Sequence, residues 1–176
     1  MSNVYLIGMM GSGKTVTGRQ LASLLHYGFV DVDEMIQEKT RRAIAEIFEK
    51  KGEAYFRREE AEAIKEAAGV GLRVVATGGG SILVSENVER MRATGKIVYL
   101  EASLEVLWQR VRAKKDRPLL RQTDPRESLA RIFKDRKALY EKAADLRVLT
   151  DDRSATAVAR EIFELLGLPA ARPGKK

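Results

Sequence analysis

The chain has 176 residues, the size of one compact domain, and 44% of them are hydrophobic while 32% are charged. This balance is typical of a globular protein and excludes a disordered or fibrous chain. No apolar run reaches the roughly 20 residues of a membrane-spanning helix, and no cleavable leader is recognisable, so we expect a cytoplasmic protein without a membrane partner. The absence of cysteine excludes disulfides and thiolate sites, and the single histidine, His26, excludes a multi-histidine metal site.

The net charge of +7 comes from one part of the sequence. Residues 110–147 hold 13 lysines and arginines against 6 aspartates and glutamates, whereas the rest of the chain holds 19 of each sign. Such an excess attracts anions, either a polyphosphate with an acidic substrate or the backbone of a nucleic acid. Because the segment has only two aromatic residues for base stacking, Phe133 and Tyr140, we expect no nucleic-acid partner.

Short runs rich in β-branched residues alternate with longer segments of helical period. This alternation is typical of a parallel sheet built from βαβ units, so we expect an α/β fold with a five-stranded parallel sheet flanked by helices. The predicted strands are residues 4–7, 29–31, 73–76, 96–100 and 146–149.

The segments between these strands predict helices. The first helix is expected to include Val16 in its buried face. Two helices are expected after the second strand, at about 33–50 and 53–68, with a break at residues 50–52. Ser85 is expected to cap the helix before the fourth strand. Residues 114–123 have no periodicity and are expected to form an exposed, mobile loop.

Residues 8–15, Gly-Met-Met-Gly-Ser-Gly-Lys-Thr, match the P-loop pattern, with a predicted strand before them and a predicted helix after them. Glycines let backbone N–H groups face phosphate oxygens at the positive end of a helix. Lys14 would bridge the β- and γ-phosphates and the Thr15 hydroxyl would bind Mg²⁺, so this context disfavours a plain glycine-rich turn. The residues expected to contact the nucleotide here are Gly11, Ser12, Gly13, Lys14, Thr15 and Val16.

Two further motifs follow predicted strands. Asp31 and Asp33 end the second strand, and residues two apart can face the same crevice at the carboxyl ends of the strands, where ligands bind in open α/β sheets. Asp31 could hold Mg²⁺ through water. Asp33 could take the proton from the hydroxyl group of a phosphoryl acceptor or, alternatively, act as a helix N-cap. Gly78, Gly79 and Gly80 follow the third strand, which favours close approach to a ligand over a merely flexible turn.

A P-loop alone does not distinguish kinases from ATPases, GTPases or helicases. The sequence has no Asn-Lys-x-Asp box of the kind with which GTPases read guanine, and it is short for a helicase or a transporter. A small-molecule kinase therefore fits best. These arguments leave the acceptor open between a hydroxy acid and a nucleotide.

Over residues 5–166 the sequence resembles the shikimate kinases, P-loop kinases that transfer a phosphoryl group from ATP to the 3-hydroxyl of shikimate on the path to chorismate and the aromatic amino acids. The ordered set of motifs is more specific than the P-loop, which other small-molecule kinases share. The matching stretches are "GMMGSGKT", "GRQLA", "FVDVD", "IFEKKGEAYFRREE", "VVATGGGS", "IVYLEAS", "DRPLL" and "TDD".

The resemblance implies a shikimate site built from an aspartate, two arginines and the glycine triplet. Guanidinium groups suit a carboxylate, whereas an aspartate and backbone amides suit ring hydroxyls. The predicted substrate-binding residues are Asp33, Arg57, Gly78, Gly79, Gly80 and Arg136.

The resemblance also implies the remaining roles. Arg117 would lie on a lid and neutralise charge on the transferring phosphoryl group, with Lys14 and Asp33 as the other catalytic residues. Arg110 and Arg153 would flank the adenine of ATP. The predicted metal ligands for Mg²⁺ are Thr15 and Asp31.

The implied organisation is one P-loop kinase domain over residues 1–168, acting as a monomer. It would contain a helical substrate-binding region at about 32–62 and a mobile lid at about 112–124, and residues 169–176 would form a disordered tail. One departure is that the family commonly has glycine after Thr40, where this chain has Arg41 and Arg42, a change that would alter helix packing beside the substrate-binding region.

Overall fold

The computed structural model describes residues 2–113 and 124–167. Within these ranges five strands form one parallel sheet, as the sequence predicts. The strands are β1 (Asn3–Ile7), β2 (Gly28–Asp31), β3 (Arg73–Ala76), β4 (Gly95–Glu101) and β5 (Leu146–Leu149). Their spatial order is β2-β3-β1-β4-β5, which places β1 at the centre.

Seven α-helices of the described ranges flank this sheet, and a 3₁₀ turn at Ser81–Leu83 follows β3. None of these helices combines the length and the apolar character that crossing a bilayer requires. The helices are α1 (Lys14–Leu25), α2 (Val32–Thr40), α3 (Ile44–Ala68), α4 (Ser85–Thr94), α5 (Leu104–Val111), α6 (Pro125–Ala143) and α7 (Ala155–Leu166).

The central strand is buried on both faces, as expected for a parallel sheet covered by helices. Tyr5 and Ile7 face the core formed with α3, α4, α5 and α6, whereas Val4 and Leu6 face the core formed with α1 and α7. All four side chains are fully buried. Since burying one such side chain contributes about 1.5–3 kcal/mol, β1 is anchored from both sides.

Register aligns the carboxyl ends of three neighbouring strands. Leu6 of β1 pairs with Ala76 of β3, and Ala76 pairs in turn with Asp31 of β2. The loops that follow these strands therefore leave the sheet side by side, at the edge where open α/β proteins bind ligands.

The boundary between the two helices after β2 differs from the prediction. The α2 helix ends at Thr40, and Arg41 takes a left-handed conformation with φ of 55°, so the break falls at residues 41–43. Gly52, the last residue of the predicted break, has a φ of 80° but forms a kink within α3. The sequence offers no glycine or proline at the true boundary, and a non-glycine residue there carries the strain of a left-handed backbone.

Two local predictions are wrong. The N-cap of α4 is Val84, which makes no side-chain cap, and the hydroxyl of Ser85 lies 3.3 Å from the carboxylate of Glu86. Val16 is 59% exposed instead of buried. Its position is one residue out of phase with the face that α1 buries, which consists of Thr17, Gly18, Leu21, Ala22 and Leu25.

The strain at Arg41 leads to a stability prediction. Arg41→Gly should raise the free energy of unfolding by about 0.5–1 kcal/mol, because glycine adopts the left-handed C-terminal position of a helix without a Cβ clash. Urea unfolding followed by circular dichroism measures this. Glu38→Gly is the matched control, because Glu38 is an exposed residue inside α2, where glycine should cost about 1 kcal/mol. Loss of stability in both variants would contradict the strain at Arg41.

Candidate active site

The loop between β1 and α1 has the backbone of a phosphate cradle. Gly8, Gly11 and Gly13 have φ values of 144°, 84° and 92°, which other residues rarely adopt. A Cβ on Gly8 would also lie 2.6 Å from the carbonyl oxygen of Leu100. Lys14 folds back over the loop and its Nζ donates to the carbonyl oxygens of Gly8, at 2.8 Å, and Met9, at 2.9 Å. The lysine charge therefore already lies over the loop.

Asp31 connects the loop to the next helix. Its Oδ2 accepts a 2.7 Å hydrogen bond from the Thr15 hydroxyl, and its Oδ1 accepts from the backbone N–H groups of Asp33, at 3.0 Å, and Glu34, at 3.4 Å. The N-cap of α2 is thus Asp31, and the alternative interpretation of Asp33 as that cap is wrong. Asp33 instead lines two neighbouring clefts.

A polar cleft of about 390 Å³, called the nucleotide cleft below, lies over the phosphate loop. It contains most of the residues predicted to bind nucleotide and metal, together with Thr77 and Gly79. The lining residues are Met10, Gly11, Gly13, Lys14, Thr15, Val16, Asp31, Asp33, Thr77, Gly79 and Arg110.

A second hollow of about 200 Å³ continues past Ser12 and Gly13, and Arg110 and Arg153 both line it. Arg110 donates to the carbonyl oxygen of Gly11 at 3.3 Å and to both oxygens of Thr150, at 3.0 Å and 2.8 Å. Arg153 donates to the carbonyl oxygen of Leu149 and pairs with Glu161. Both predicted adenine-flanking arginines therefore lie next to the phosphate loop. Thr150, directly after β5, holds Arg110, whereas the end of β5 and Glu161 of α7 hold Arg153.

A smaller pocket lies beside the nucleotide cleft. Ile44, Phe48 and Phe56 form an apolar wall, in which the two phenylalanine rings are 4.8 Å apart between centroids. The polar lining consists of Asp33, Arg57, Glu60, Gly79, Gly80 and Arg136. Met10 completes the pocket. An apolar wall facing convergent charged groups suits a small cyclic anion.

Arg57 is held by two carboxylates of its own helix. Its Nη1 donates to Glu60 at 2.7 Å, and its Nη2 donates to Glu53 at 2.8 Å. Burial lowers the pKa of Arg57, but the charges and hydrogen bonds of Glu60 and Glu53 outweigh burial and move the pKa above its ordinary value. The guanidinium therefore stays charged and has a defined orientation.

Glu60 was missed as a site residue, because the charges around Arg57 fit a solvated helix face. Its side chain is fully buried and also accepts a 2.8 Å hydrogen bond from the Ser81 hydroxyl. The available signal was its spacing, since Glu60 interrupts the buried stripe of α3 that runs from Phe56 to Ile64. A carboxylate in a buried stripe, three residues after an arginine, indicates a held ion pair.

The three consecutive glycines differ in how much room a side chain would have. A Cβ on Gly78 would overlap Oε1 of Glu60, and a Cβ on Gly80 would overlap the guanidinium of Arg57. A Cβ on Gly79 would meet nothing closer than 3.5 Å. In the part of the chain that the structure describes, Gly78 lines neither the nucleotide cleft nor the smaller pocket. The triplet therefore makes room for the Arg57–Glu60 pair as well as for a ligand.

Arg136 reaches the same triplet from α6. It is 8% exposed, and its Nη1 donates to the carbonyl oxygen of Gly79 at 3.2 Å. The Tyr140 hydroxyl donates to the same carbonyl.

Of the predicted site residues, only Arg117 lies outside the described residues. Most of the predicted lid and the predicted tail also lie outside them.

The nucleotide cleft and the smaller pocket meet. Met10, Asp33 and Gly79 line both of them. A phosphate chain over the loop and a small anion between Arg57 and Arg136 would therefore approach each other at Asp33.

The site residues that sequence reasoning missed are Met10, Ile44, Phe48, Phe56, Glu60, Thr77, Ser81 and Tyr140.

The contacts of the triplet lead to a second stability prediction. Gly78→Ala should lower the free energy of unfolding by about 1–3 kcal/mol, because the buried carboxylate of Glu60 must leave its hydrogen bonds to admit the methyl group. The matched control, Gly79→Ala, should change it by less than about 1 kcal/mol, since its Cβ makes ordinary contacts. Urea unfolding measures both variants, and an equal loss in both would contradict this assignment.

Comparison with known proteins shows the family. The family described as Shikimate kinase matches residues 10–167. Shikimate kinase of Vibrio cholerae is 44% identical over 164 residues, which cover 93% of this chain and 94% of the relative.

Solved structures of the same family have a similar fold. A structure of shikimate kinase from Acinetobacter baumannii in complex with shikimate has a TM-score of 0.92 and 39% identity, covering 94% of this chain and 93% of that one. The shikimate kinase from Bacteroides thetaiotaomicron has a TM-score of 0.85 and 32% identity, covering 95% of this chain and 99% of that one. The predicted P-loop kinase fold is confirmed, and the chain belongs to the shikimate kinase family.

Proposed function

We propose that the protein transfers the γ-phosphoryl group of ATP to the 3-hydroxyl of shikimate. The observation that supports this most directly is the junction of the nucleotide cleft with an acceptor pocket at Met10, Asp33 and Gly79. Membership of the shikimate kinase family and the shikimate-bound relative from Acinetobacter baumannii support the choice of acceptor.

On the donor side, backbone N–H groups of the phosphate loop and the start of α1 would bind the phosphates of ATP. Lys14 would exchange its contacts with the carbonyl oxygens of Gly8 and Met9 for phosphate oxygens, a short movement since its Nζ already lies over the loop. We further propose that Arg110 and Arg153 flank the adenine, because both line the hollow that continues from the cleft.

Thr15 and Asp31 offer a hydroxyl and a carboxylate at the edge of the nucleotide cleft, 2.7 Å apart. These hard oxygen donors suit Mg²⁺, which binds few protein ligands and completes its shell with phosphates and water. In the ranges that the structure describes, no group of three or more acidic, histidine or cysteine side chains could hold a metal alone. Mg²⁺ held here with ATP would neutralise charge on the β- and γ-phosphates.

On the acceptor side, Arg57 and Arg136 would bind the carboxylate of shikimate, and the amides of the glycine triplet would bind ring hydroxyls. The wall of Ile44, Phe48 and Phe56 would pack against the ring carbons. Asp33 would accept the proton of the reacting hydroxyl as it attacks the γ-phosphate. Positioning and charge neutralisation would provide most of the acceleration, since phosphoryl transfer needs little covalent help.

The remaining parts of this proposal concern organisation. We propose one domain over residues 1–168 that acts as a monomer, with its acceptor pocket in the region 32–62. Segment 112–124 would be the lid, carrying Arg117 to the transferring phosphoryl group and excluding water.

A coupled assay for ADP release tests the function. With ATP and Mg²⁺, ADP release should depend on added shikimate, and nucleoside monophosphates should not replace it. Lys14→Ala is the negative control and should lower kcat by more than about 100-fold, because it removes charge stabilisation in the transition state. ADP release without shikimate, or with a nucleoside monophosphate instead, would contradict the proposed acceptor.

The acceptor pocket leads to a prediction with a matched control. Arg57→Ala should raise the KM for shikimate by about 10–100-fold while kcat changes less, because it removes charge-assisted ground-state binding. Arg58→Ala should leave this KM within about twofold, since the exposed Arg58 side chain lies over the ring of Tyr55. Steady-state kinetics measures both variants, and an unchanged KM in Arg57→Ala would contradict the assignment.

A further inference from the structure

Two side chains of α6 converge on one backbone carbonyl. Arg136 and Tyr140 lie one helical turn apart, and both donate to the carbonyl oxygen of Gly79. Both are buried, with Arg136 8% exposed and Tyr140 fully inaccessible. The two hydrogen bonds themselves are partly buried. Hydrogen bonds shielded from water are stronger than exposed ones, so these two donors of α6 hold the Gly79 peptide in place.

This peptide lies where the nucleotide cleft and the acceptor pocket meet. Gly79 lines both the nucleotide cleft and the acceptor pocket, and its carbonyl belongs to the same peptide group as the N–H of Gly80. Donors on the carbonyl polarise that N–H and fix its direction. Rotation of this peptide would redirect that N–H and change the lining of the acceptor pocket, to which both Gly79 and Gly80 belong.

The surroundings of Tyr140 keep its hydroxyl in this role. Its ring stacks on Tyr99 with centroids 5.1 Å apart and an interplanar angle of 16°, and its hydroxyl lies 3.7 Å from the sulfur of Met9. Burial raises the pKa of Tyr140 well above its ordinary value, and the charge of Arg136 opposes this only in part. The hydroxyl therefore remains protonated and able to donate over the whole working pH range.

We infer that Tyr140 is a positioning residue, whose hydroxyl fixes the Gly79 peptide and thereby the orientation of the acceptor against the γ-phosphate. The inference rests on the proposed function, because it specifies how the acceptor pocket of that function is held. Without this hydroxyl, the Gly79 carbonyl would depend more on Arg136. The guanidinium of Arg136 would then be drawn toward the carbonyl and away from the substrate carboxylate.

Tyr140→Phe tests this inference, since it keeps the stacked ring and removes the donor. We expect kcat/KM for shikimate to fall about tenfold, with a higher KM for shikimate and a lower kcat, because small misplacement of reacting groups is costly. The KM for ATP should stay within about twofold, since the only contact of this hydroxyl with the phosphate loop among the described residues is the weak one to the Met9 sulfur. Calorimetric titration of shikimate should show the same weakening in binding.

Tyr99→Phe is the matched control, because Tyr99 provides the other ring of the stack and its hydroxyl is not a donor to Gly79. Its kinetics should resemble those of the parent enzyme. A merely structural role of Tyr140 would lower the thermal midpoint and the active fraction, and so kcat, without a selective change in the KM for shikimate. Parent-like kinetics, or equal changes for ATP and shikimate, would overturn the inference.

If Tyr140→Phe does not fold, 4-fluorophenylalanine at position 140 fills the volume of tyrosine without donating, and the same selective change is expected. Activity of the parent enzyme separates the two levels of the proposal. A parent that does not phosphorylate shikimate contradicts the proposed function. A parent that does, together with a Tyr140→Phe enzyme that behaves like it, contradicts only the role of Tyr140.

Discussion

The in-register pairing of β1, β3 and β2 is the constraint on which the site depends. Leu6, Ala76 and Asp31 lie across from one another at the carboxyl ends of these strands, so the phosphate loop, the glycine triplet and Asp33 leave the sheet together. Burial of β1 on both faces makes this register costly to change, since a slip of one residue would exchange the side chains of the two cores. The junction between the nucleotide cleft and the acceptor pocket is thus a consequence of sheet packing.

Charge placement in the acceptor pocket follows from the same packing. The buried Glu60 holds Arg57, and the Gly79 carbonyl holds Arg136, so both guanidinium groups have defined orientations before a ligand arrives. Preorganised charges of this kind lose less conformational freedom on binding and need less reorganisation during reaction. Gly78 and Gly80 permit it, since a Cβ at either position would displace one member of the Arg57–Glu60 pair.

Sequence reasoning could predict the parts of the molecule whose signals are local. The strands, the P-loop and Asp31 were accessible because hydrophobic runs and turn residues mark them directly. Glu60 and Tyr140 were not assigned to the site, because their importance depends on partners in other elements, Ser81 and the Gly79 carbonyl. The helix boundary at Arg41 was missed although it is a local feature. The backbone there is left-handed, but an arginine, unlike a glycine, does not indicate a left-handed residue.

The most direct test of the account is a crystal structure with a non-hydrolysable ATP analogue, Mg²⁺ and shikimate bound together. The account predicts the triphosphate on the loop of residues 8–15 and the carboxylate of shikimate between Arg57 and Arg136. The 3-hydroxyl should lie beside Asp33 and face the γ-phosphate. Shikimate bound outside this pocket, or with its 3-hydroxyl directed away from the γ-phosphate, would contradict the account.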